Sequence, residues 1–317
     1  MAQLGYALAS EDWGPSDLVD LARRAEETGF EYALISDHIH PWTDKQGSSP
    51  FVWSVIGGIA EATERLRIGT GVTCPLIRIH PAIVAHAAAT CACLMPGRFF
   101  LGLGTGENLN EHVLGDRWPA ADERIEMLEE AIEIMRLLWQ RGEQTHRGKY
   151  YTVDHCRIYN VPDDSIDIAI AAGQPVAARL AGRLGDALIS TAPDENVVKR
   201  FEEAGGNGKP RYGMLHVCYG EDEEDAKQLA AELWPNLALK GELGRELARP
   251  KDFEDAAAMV EPDDVAETVP CGPDADRHRE AIREYEDAGF DHVFIHQIGP
   301  DQEGFFTFYE SEILARV

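Results

Sequence analysis

The sequence predicts an α/β fold, a (β/α)8 TIM barrel with insertions. Short apolar stretches alternate with amphipathic helical patterns along the 317 residues, and no Ser- or Pro-rich linker separates two domains. Three of the apolar stretches also end in polar residues, as in parallel barrels that build active sites at the C-terminal ends of their strands. We therefore interpret residues 1–317 as one barrel domain. A doubly wound open sheet is the alternative.

Each strand is predicted from a short apolar run bounded by turn residues. The second run ends abruptly in Ser36, Asp37 and His38, and Pro41 then prevents regular structure from continuing. The predicted strands cover residues 3–9, 32–38, 67–74, 99–106, 167–173, 187–191, 211–219 and 292–298.

The helices are predicted from apolar residues three and four positions apart and from their terminal residues. Ser16 is the expected N-cap of the first helix, Gly29 its end, and Pro81 the start of a later one. The predicted helices cover residues 17–28, 51–63, 82–95, 122–139, 176–184, a stretch from 194, 222–233, 274–288 and 305–314. Two segments break the alternation and are interpreted as insertions, at about residues 142–162 and 235–272.

The charge balance is strongly acidic, with 56 Asp and Glu against 29 Lys and Arg and a net charge of −27. Nucleic-acid binding needs clustered positive charge, so this composition argues against it. The acidic residues are spread along the chain, which favours a solvated, halophilic surface over an acidic docking face. No stretch resembles a membrane span or a signal peptide, and a cytoplasmic protein acting on a small molecule is predicted.

No metal site is predicted. The six cysteines have no zinc-type spacing. His38 and His40 are two positions apart, but no third ligand falls at suitable spacing. His38 beside Asp37 is therefore either structural or a general base for an alcohol proton.

The glycine-rich segment 102–107 does not match the dinucleotide fingerprint, which requires a glycine where Glu107 stands. Its glycines let a backbone approach a ligand closely, and Thr105 and Asn110 add hydrogen-bonding groups. A tight strand-to-loop turn explains the pattern equally well.

Taken together, residues 36–42, 69–75 and 102–111 closely resemble the deazaflavin-dependent glucose-6-phosphate dehydrogenases of the bacterial-luciferase-like superfamily. The similarity extends over nearly the whole chain. It implies a luciferase-like barrel, coenzyme F420 as cofactor and a homodimer.

By that resemblance, His38 would take the hydroxyl proton while a hydride leaves the same carbon for carbon 5 of F420. Trp42 would shape the pocket, Glu107 would be an acid/base group at the pyrimidine ring, and Glu11 would line the substrate side. The cofactor-binding residues implied are Asp37, Gly71, Val72, Cys74, Thr105, Gly106, Asn110, Gly173, Gln174, Val176 and Ala177. The Gly71–Val72 bond corresponds to a cis peptide in the family.

The resemblance fails at the family's sugar-phosphate pocket. Asp194 stands where the family has a Lys. A second Lys of the family aligns near Gly244 of this chain, and an Arg of the family aligns near residues 267–268. Arg245 or Lys240 could replace one of these contacts, but not three. A carboxylate facing a phosphate is repulsive, so we hypothesise an uncharged or less anionic alcohol, sugar or hydroxylated metabolite as substrate.

The predicted function is an F420-dependent dehydrogenase acting on a CH–OH group. An FMN-dependent luciferase-like monooxygenase and an F420H2-dependent reductase of a carbonyl or alkene are the alternatives. A third alternative is a cofactor-binding barrel without turnover. The presence of His38, Trp42 and Glu107 together argues against it.

Overall fold

The computed structural model describes residues 2–239, 241 and 243–316, and in it eight parallel strands close into a barrel. The strands are β1 Gln3–Leu8, β2 Tyr32–Ile35, β3 Arg67–Thr70, β4 Phe99–Leu103, β5 Gln144–Arg147, β6 Thr152–Cys156, β7 Ile168–Ala171, β8 Ala187–Ser190, β9 Arg211–Val217 and β10 His292–Gln297. The strand order around the barrel is β1-β10-β9-β8-β7-β4-β3-β2. Strand β1 pairs with both β2 and β10, so the predicted barrel is confirmed and the open doubly wound sheet is wrong.

Helices follow the barrel strands, and the longer ones cover the outside of the sheet. They are α1 Pro15–Thr28, α2 Val52–Ala62, α3 Pro81–Leu94, α4 Asn108–Glu111, α5 Ala121–Leu138, α6 Pro175–Leu184, α7 Glu195–Phe201, α8 Glu223–Leu233, α9 Leu243–Glu246, α10 Pro250–Ala256, α11 Pro262–Ala266, α12 Ala275–Asp287 and α13 Gln302–Phe308. None of the helices in the described residues is long and apolar enough to cross a membrane.

Helix α1 shows how the terminal residues act. It begins at Pro15 with Gly14 as N-cap, so the prediction that Ser16 caps it is wrong: proline's fixed φ suits the first helical position. It ends as predicted at Gly29, whose φ of 107° is left-handed and whose backbone N–H closes the last turn.

Aromatic side chains fill the barrel interior at the N-terminal ends of its strands. Phe100 packs against Tyr212, with ring centroids 5.3 Å apart, and Tyr212 in turn contacts Phe294 and His292. Phe100 and Phe294 are fully buried. Because this end is packed, open space remains only toward the C-terminal ends of the strands.

The two predicted insertions have different structures. The first contains an antiparallel hairpin, β5 with β6, whose turn is held to α5 because the Glu130 carboxylate accepts hydrogen bonds from the backbone of residues 149–151. The second contains a 3-10 turn, Pro235–Ala238, and the short helices α9, α10 and α11. It buries Phe253 and Val265 and forms part of the wall of the central cavity.

Candidate active site

A cavity of about 1400 Å3 opens at the C-terminal ends of the barrel strands. Small-molecule sites in proteins usually measure about 300 to 1,000 Å3, so this cavity has room for a cofactor and a substrate together. All four predicted catalytic residues reach its wall: Glu11 follows β1, His38 and Trp42 follow β2, and Glu107 follows β4.

His38 and Glu11 form a buried pair on this wall. The Nε2 atom of His38 lies 3.5 Å from Oε1 of Glu11, and the two side chains are 9% and 3% exposed. On the other edge of the ring, Nδ1 lies 3.2 Å from the carbonyl oxygen of His40. A carbonyl only accepts hydrogen bonds, so Nδ1 carries the proton of the neutral imidazole and Nε2 is the basic atom.

Glu11 is held in turn by Ser36. The Ser36 hydroxyl donates to Oε2 of Glu11 at 2.5 Å and accepts from the backbone N–H of Ser10 at 2.9 Å. The residues that follow β1 and β2 therefore fix the carboxylate beside the imidazole. A carboxylate in this place stabilises the imidazolium that forms when His38 takes a proton.

Trp42 continues the wall from His38 toward the second insertion. Its ring centroid lies 5.2 Å from that of His38 and 5.2 Å from that of Phe253, which meets it edge to face. Phe253 is fully buried, so this side of the cavity is aromatic and dry.

The wall on the side of β3 and β4 is mostly backbone. The Gly71–Val72 peptide bond is cis, as the resemblance implied, and both residues line the cavity. A Cβ atom at Gly104 would lie 2.6 Å from Val72, and Gly106 has a left-handed φ of 74°. The lack of a side chain at these glycines allows the segment after β4 to lie close to Val72 and Cys74.

Three residues expected to contact the cofactor are not part of the cavity lining, and their contact with a cofactor stays a prediction. Asp37, Cys74 and Asn110 are buried and are not among the lining residues. The side-chain oxygen of Asn110 accepts from the backbone N–H groups of Ile39 and His40, at 2.9 and 3.3 Å. Asn110 therefore positions the loop that carries His38.

Asp37 belongs to a buried charge network. Its carboxylate accepts from Arg78 at 2.8 Å and from the Thr73 hydroxyl at 2.7 Å. Glu111 accepts from the backbone N–H of Arg78, also at 2.8 Å. Burial raises the pKa of Glu111, although Arg78 opposes the shift. The network ties the loops after β2, β3 and β4 to one another.

The other predicted cofactor residues do line the cavity: Thr105, Gly106, Gly173, Gln174, Val176 and Ala177. The last four follow β7 or begin α6. Their contacts with a cofactor remain predictions.

The sequence did not indicate a second imidazole group on the wall. His216 of β9 and His296 of β10 are register partners, with Nδ1 atoms 2.8 Å apart. Asp12 contacts Nε2 of His296 at 3.4 Å and accepts a hydrogen bond from the indole N–H of Trp234. The one hint was a histidine near the end of each of the last two predicted strands.

The wall carries more carboxylates than cations among the described residues. The acidic lining residues are Glu11, Glu107, Asp122, Glu246, Glu267, Glu280 and Glu284, and the basic ones are Arg124, Arg245 and Arg277. Arg124 and Arg277 are also paired with Glu246 and Glu223. The cavity is therefore a poor environment for a dianionic ligand.

Asp194 does not contribute to this acidity. Its carboxylate accepts from the backbone N–H of Asn196 at 2.8 Å and caps α7, outside the cavity wall. Our expectation that it faces the substrate is wrong, since a helix N-terminus uses it instead. Lys240 lies outside the described residues.

Comparison with known proteins places this site in a family. The model of the family described as luciferase-like monooxygenase matches residues 3–292, which makes the chain a luciferase-like barrel. Its sequence is 37% identical to an F420-dependent glucose-6-phosphate dehydrogenase of Nakamurella multipartita, over 99% of this chain and 96% of that protein. A protein of the same name from Nocardia farcinica is 36% identical, over 99% and 98%. The chain belongs to the family of F420-dependent glucose-6-phosphate dehydrogenases within the luciferase-like proteins.

The solved structures agree. An F420-dependent secondary alcohol dehydrogenase in complex with an F420-acetone adduct superposes with a TM-score of 0.92 at 30% identity, covering 99% of this chain and 98% of that one. The F420-dependent tetrahydromethanopterin reductase of Methanopyrus kandleri, at 21% identity and a TM-score of 0.80 over 99% of both chains, shows the shared fold.

Proposed function

We propose that the protein is a coenzyme F420-dependent dehydrogenase that removes a hydride from a CH–OH group of a small substrate. One observation carries this proposal: His38, whose basic Nε2 atom is backed by Glu11, lies on the wall of the cavity that the glycines after β3 and β4 also line. Family membership supports the choice of cofactor.

The cavity fits a deazaflavin. Gly71, Val72, Gly104 and Gly106 all line the cavity, so this wall presents mostly backbone to a flat ring. Gly173 lies open beside it, with only Arg245 within 4 Å of where a Cβ would be. Bound there, F420 supplies an electrophilic carbon that accepts the hydride.

The side chains of the protein handle the proton and the position of the substrate. His38 takes the hydroxyl proton at Nε2, and Glu11 stabilises the imidazolium that results. Trp42 and Phe253 exclude water from this part of the cavity. Glu107, at the end of β4, would serve as the acid/base group at the cofactor's pyrimidine ring, and Trp42 would also stabilise developing charge through its indole N–H.

Titration of the purified protein with F420 and with FMN tests the cofactor. We expect micromolar affinity for F420, at least about tenfold tighter than for FMN, because only the deazaflavin belongs to the proposed reaction. The loss of the visible absorbance of F420 would measure its reduction by an alcohol. Tight FMN binding without F420 binding would support the monooxygenase alternative and contradict the proposal.

The acidic wall predicts the charge of the substrate. We expect kcat/KM for glucose to exceed that for glucose 6-phosphate by about tenfold or more, because a phosphate would face Glu267 and its neighbours without a free cluster of cations. Initial rates of F420 reduction at high salt measure this ratio. A preference for glucose 6-phosphate would show that the hypothesis of an uncharged substrate is wrong.

We further propose a halophilic, cytoplasmic homodimer. The net charge of −27 supports adaptation to high salt. Helix α3 exposes Ile83 and Leu94, which are 59% and 47% accessible and lie on one face of the helix, and such apolar faces are typical of subunit contacts. Light scattering in molar KCl should give twice the chain mass of 35.0 kDa; a monomer would exclude the dimer.

A further inference from the structure

Two neighbouring carboxylates each hold a different imidazole on the cavity wall. Glu11 contacts Nε2 of His38 at 3.5 Å, and the next residue, Asp12, contacts Nε2 of His296 at 3.4 Å. His296 in turn meets His216. The proposed reaction uses His38 and leaves the chain of Asp12, His296 and His216 without a role.

The partners of this chain fix where its protons are. The Asp12 carboxylate, whose side chain is 10% exposed, accepts a hydrogen bond from Trp234 and lies 3.4 Å from Nε2 of His296, where its charge favours a proton on that atom. Nδ1 of neutral His296 is then an acceptor, so the 2.8 Å contact is a hydrogen bond donated by Nδ1 of His216. Unlike Nδ1 of His38, which faces a backbone carbonyl, Nδ1 of His296 faces an imidazole that can donate or accept, so the charge of Asp12 decides the order.

The remaining nitrogen of His216 is therefore an acceptor directed away from His296. His216 lines the cavity, and among the described residues its Nε2 has no hydrogen-bond partner. Burial holds the pKa of His216 well below its usual value, and His296 lowers it further, so the ring is neutral and its Nε2 lone pair is free. An acceptor placed this way on the cavity lining can take a hydrogen bond from a ligand that carries a donor.

The rings around it define a site on the substrate side. Trp234 contacts both His216 and His296, with ring centroids 5.5 and 4.7 Å apart, and Trp42 packs on the same apolar cluster as Trp234. His38 and the pair of His216 and His296 are thus linked in two ways. Their carboxylate partners are adjacent residues of the loop after β1, and Trp42 and Trp234 belong to one apolar cluster.

We propose that Nε2 of His216 accepts a hydrogen bond from a second hydroxyl group of the substrate. This makes His216 a specificity-determining residue, positioned by His296 and Asp12, that selects uncharged polyhydroxylated substrates such as polyols and sugars over simple alcohols. The inference rests on the proposed function and adds the substrate class to it.

Three small alcohols test the inference. Propan-2-ol has only the reacting group, propane-1,2-diol adds a hydroxyl, and 1-methoxypropan-2-ol replaces that hydroxyl by an ether that cannot donate. We expect kcat/KM in F420 reduction to be about tenfold higher for the diol than for either of the others. The ether separates hydrogen-bond donation from added bulk.

His216→Phe should remove the preference for the diol and change kcat/KM for propan-2-ol less than about threefold. His216→Gln, whose amide oxygen can approach the position of Nε2, should keep part of the preference. His155→Gln, at an exposed position on the hairpin of β5 and β6, is the matched control and should behave as the wild type. F420 affinity and thermal unfolding show whether each variant is intact.

The outcomes are distinct. Equal loss for all three alcohols in His216→Phe, or no preference for the diol in the wild type, would overturn this inference and leave the proposed function standing. No F420 reduction with any alcohol, despite a folded protein, would overturn the proposed function and this inference with it.

Discussion

Replacement of His38 by alanine should lower kcat for alcohol oxidation by about 10^2- to 10^4-fold, the usual contribution of a positioned general base. The reason is local: Nε2 is the basic atom that faces Glu11 in the cavity, while Nδ1 is occupied by the carbonyl of His40. Steady-state reduction of F420 measures the loss. F420 affinity should stay within about threefold, because the residues expected to bind the cofactor follow β3, β4 and β7.

A control and a rescue separate catalysis from damage to the fold. His155→Ala, at an exposed position on the hairpin of β5 and β6, should leave kcat unchanged. Free imidazole added to His38→Ala should restore part of the rate, since the lost ring leaves a space of its own size beside Glu11. A rate within tenfold of the wild type would remove His38 from its role as base.

The site could be located from the sequence because its residues follow the C-terminal ends of predicted strands. The eightfold alternation predicted the barrel, and the polar residues at 36–38 and 104–107 were assigned to the C-terminal ends of strands, where they lie in the structure. The predicted second strand was too long. It ends at Ile35, and the residues that follow leave the sheet to form the wall of the cavity.

What the sequence could not indicate depends on distant contacts. The pair of His216 and His296 is 80 residues apart and arises from the register of two neighbouring parallel strands. The strands of the β5–β6 hairpin are short, and their mostly polar sequence gives a weak signal for β structure. Glu130 of α5 holds the hairpin in place. Local patterns carry no information about such partners.

Asp37, Asn110 and Asp194 show a related limit. Motif comparison assigned Asp37 and Asn110 to cofactor contact, yet one pairs with Arg78 and the other holds the backbone of residues 39–40. Alignment placed Asp194 in the phosphate pocket, but it caps a helix. A position in a motif identifies the neighbourhood of a site, and only the structure distinguishes a residue on the wall from one behind it.

Gly102 answers the question that the glycine-rich segment left open. It lies inside β4, and a Cβ atom there would be 1.8 Å from the backbone carbonyl oxygen of Thr70 in β3. Thr70 is fully buried, and its hydroxyl donates to the carbonyl of Gly102 at 2.7 Å. This glycine therefore serves the close approach of two strands, whereas Gly104 and Gly106 shape the cavity.

Gly102→Ala should destabilise the protein by more than about 4 kcal/mol, or prevent folding, because the added methyl collides with main chain that cannot rotate away. Denaturant unfolding at high salt, compared with the wild type, measures the change in the free energy of unfolding.

Gly57→Ala is the matched control. Gly57 lies in α2 with no atom within 4 Å of the new methyl, so the substitution should be neutral or stabilise the protein by up to about 1 kcal/mol. Adding Thr70→Ala to Gly102→Ala should not restore stability, since the collision is with a carbonyl oxygen rather than a side chain. A Gly102→Ala protein within 1 kcal/mol of the wild type would mean that β3 and β4 can separate at little cost, contrary to the packing described here.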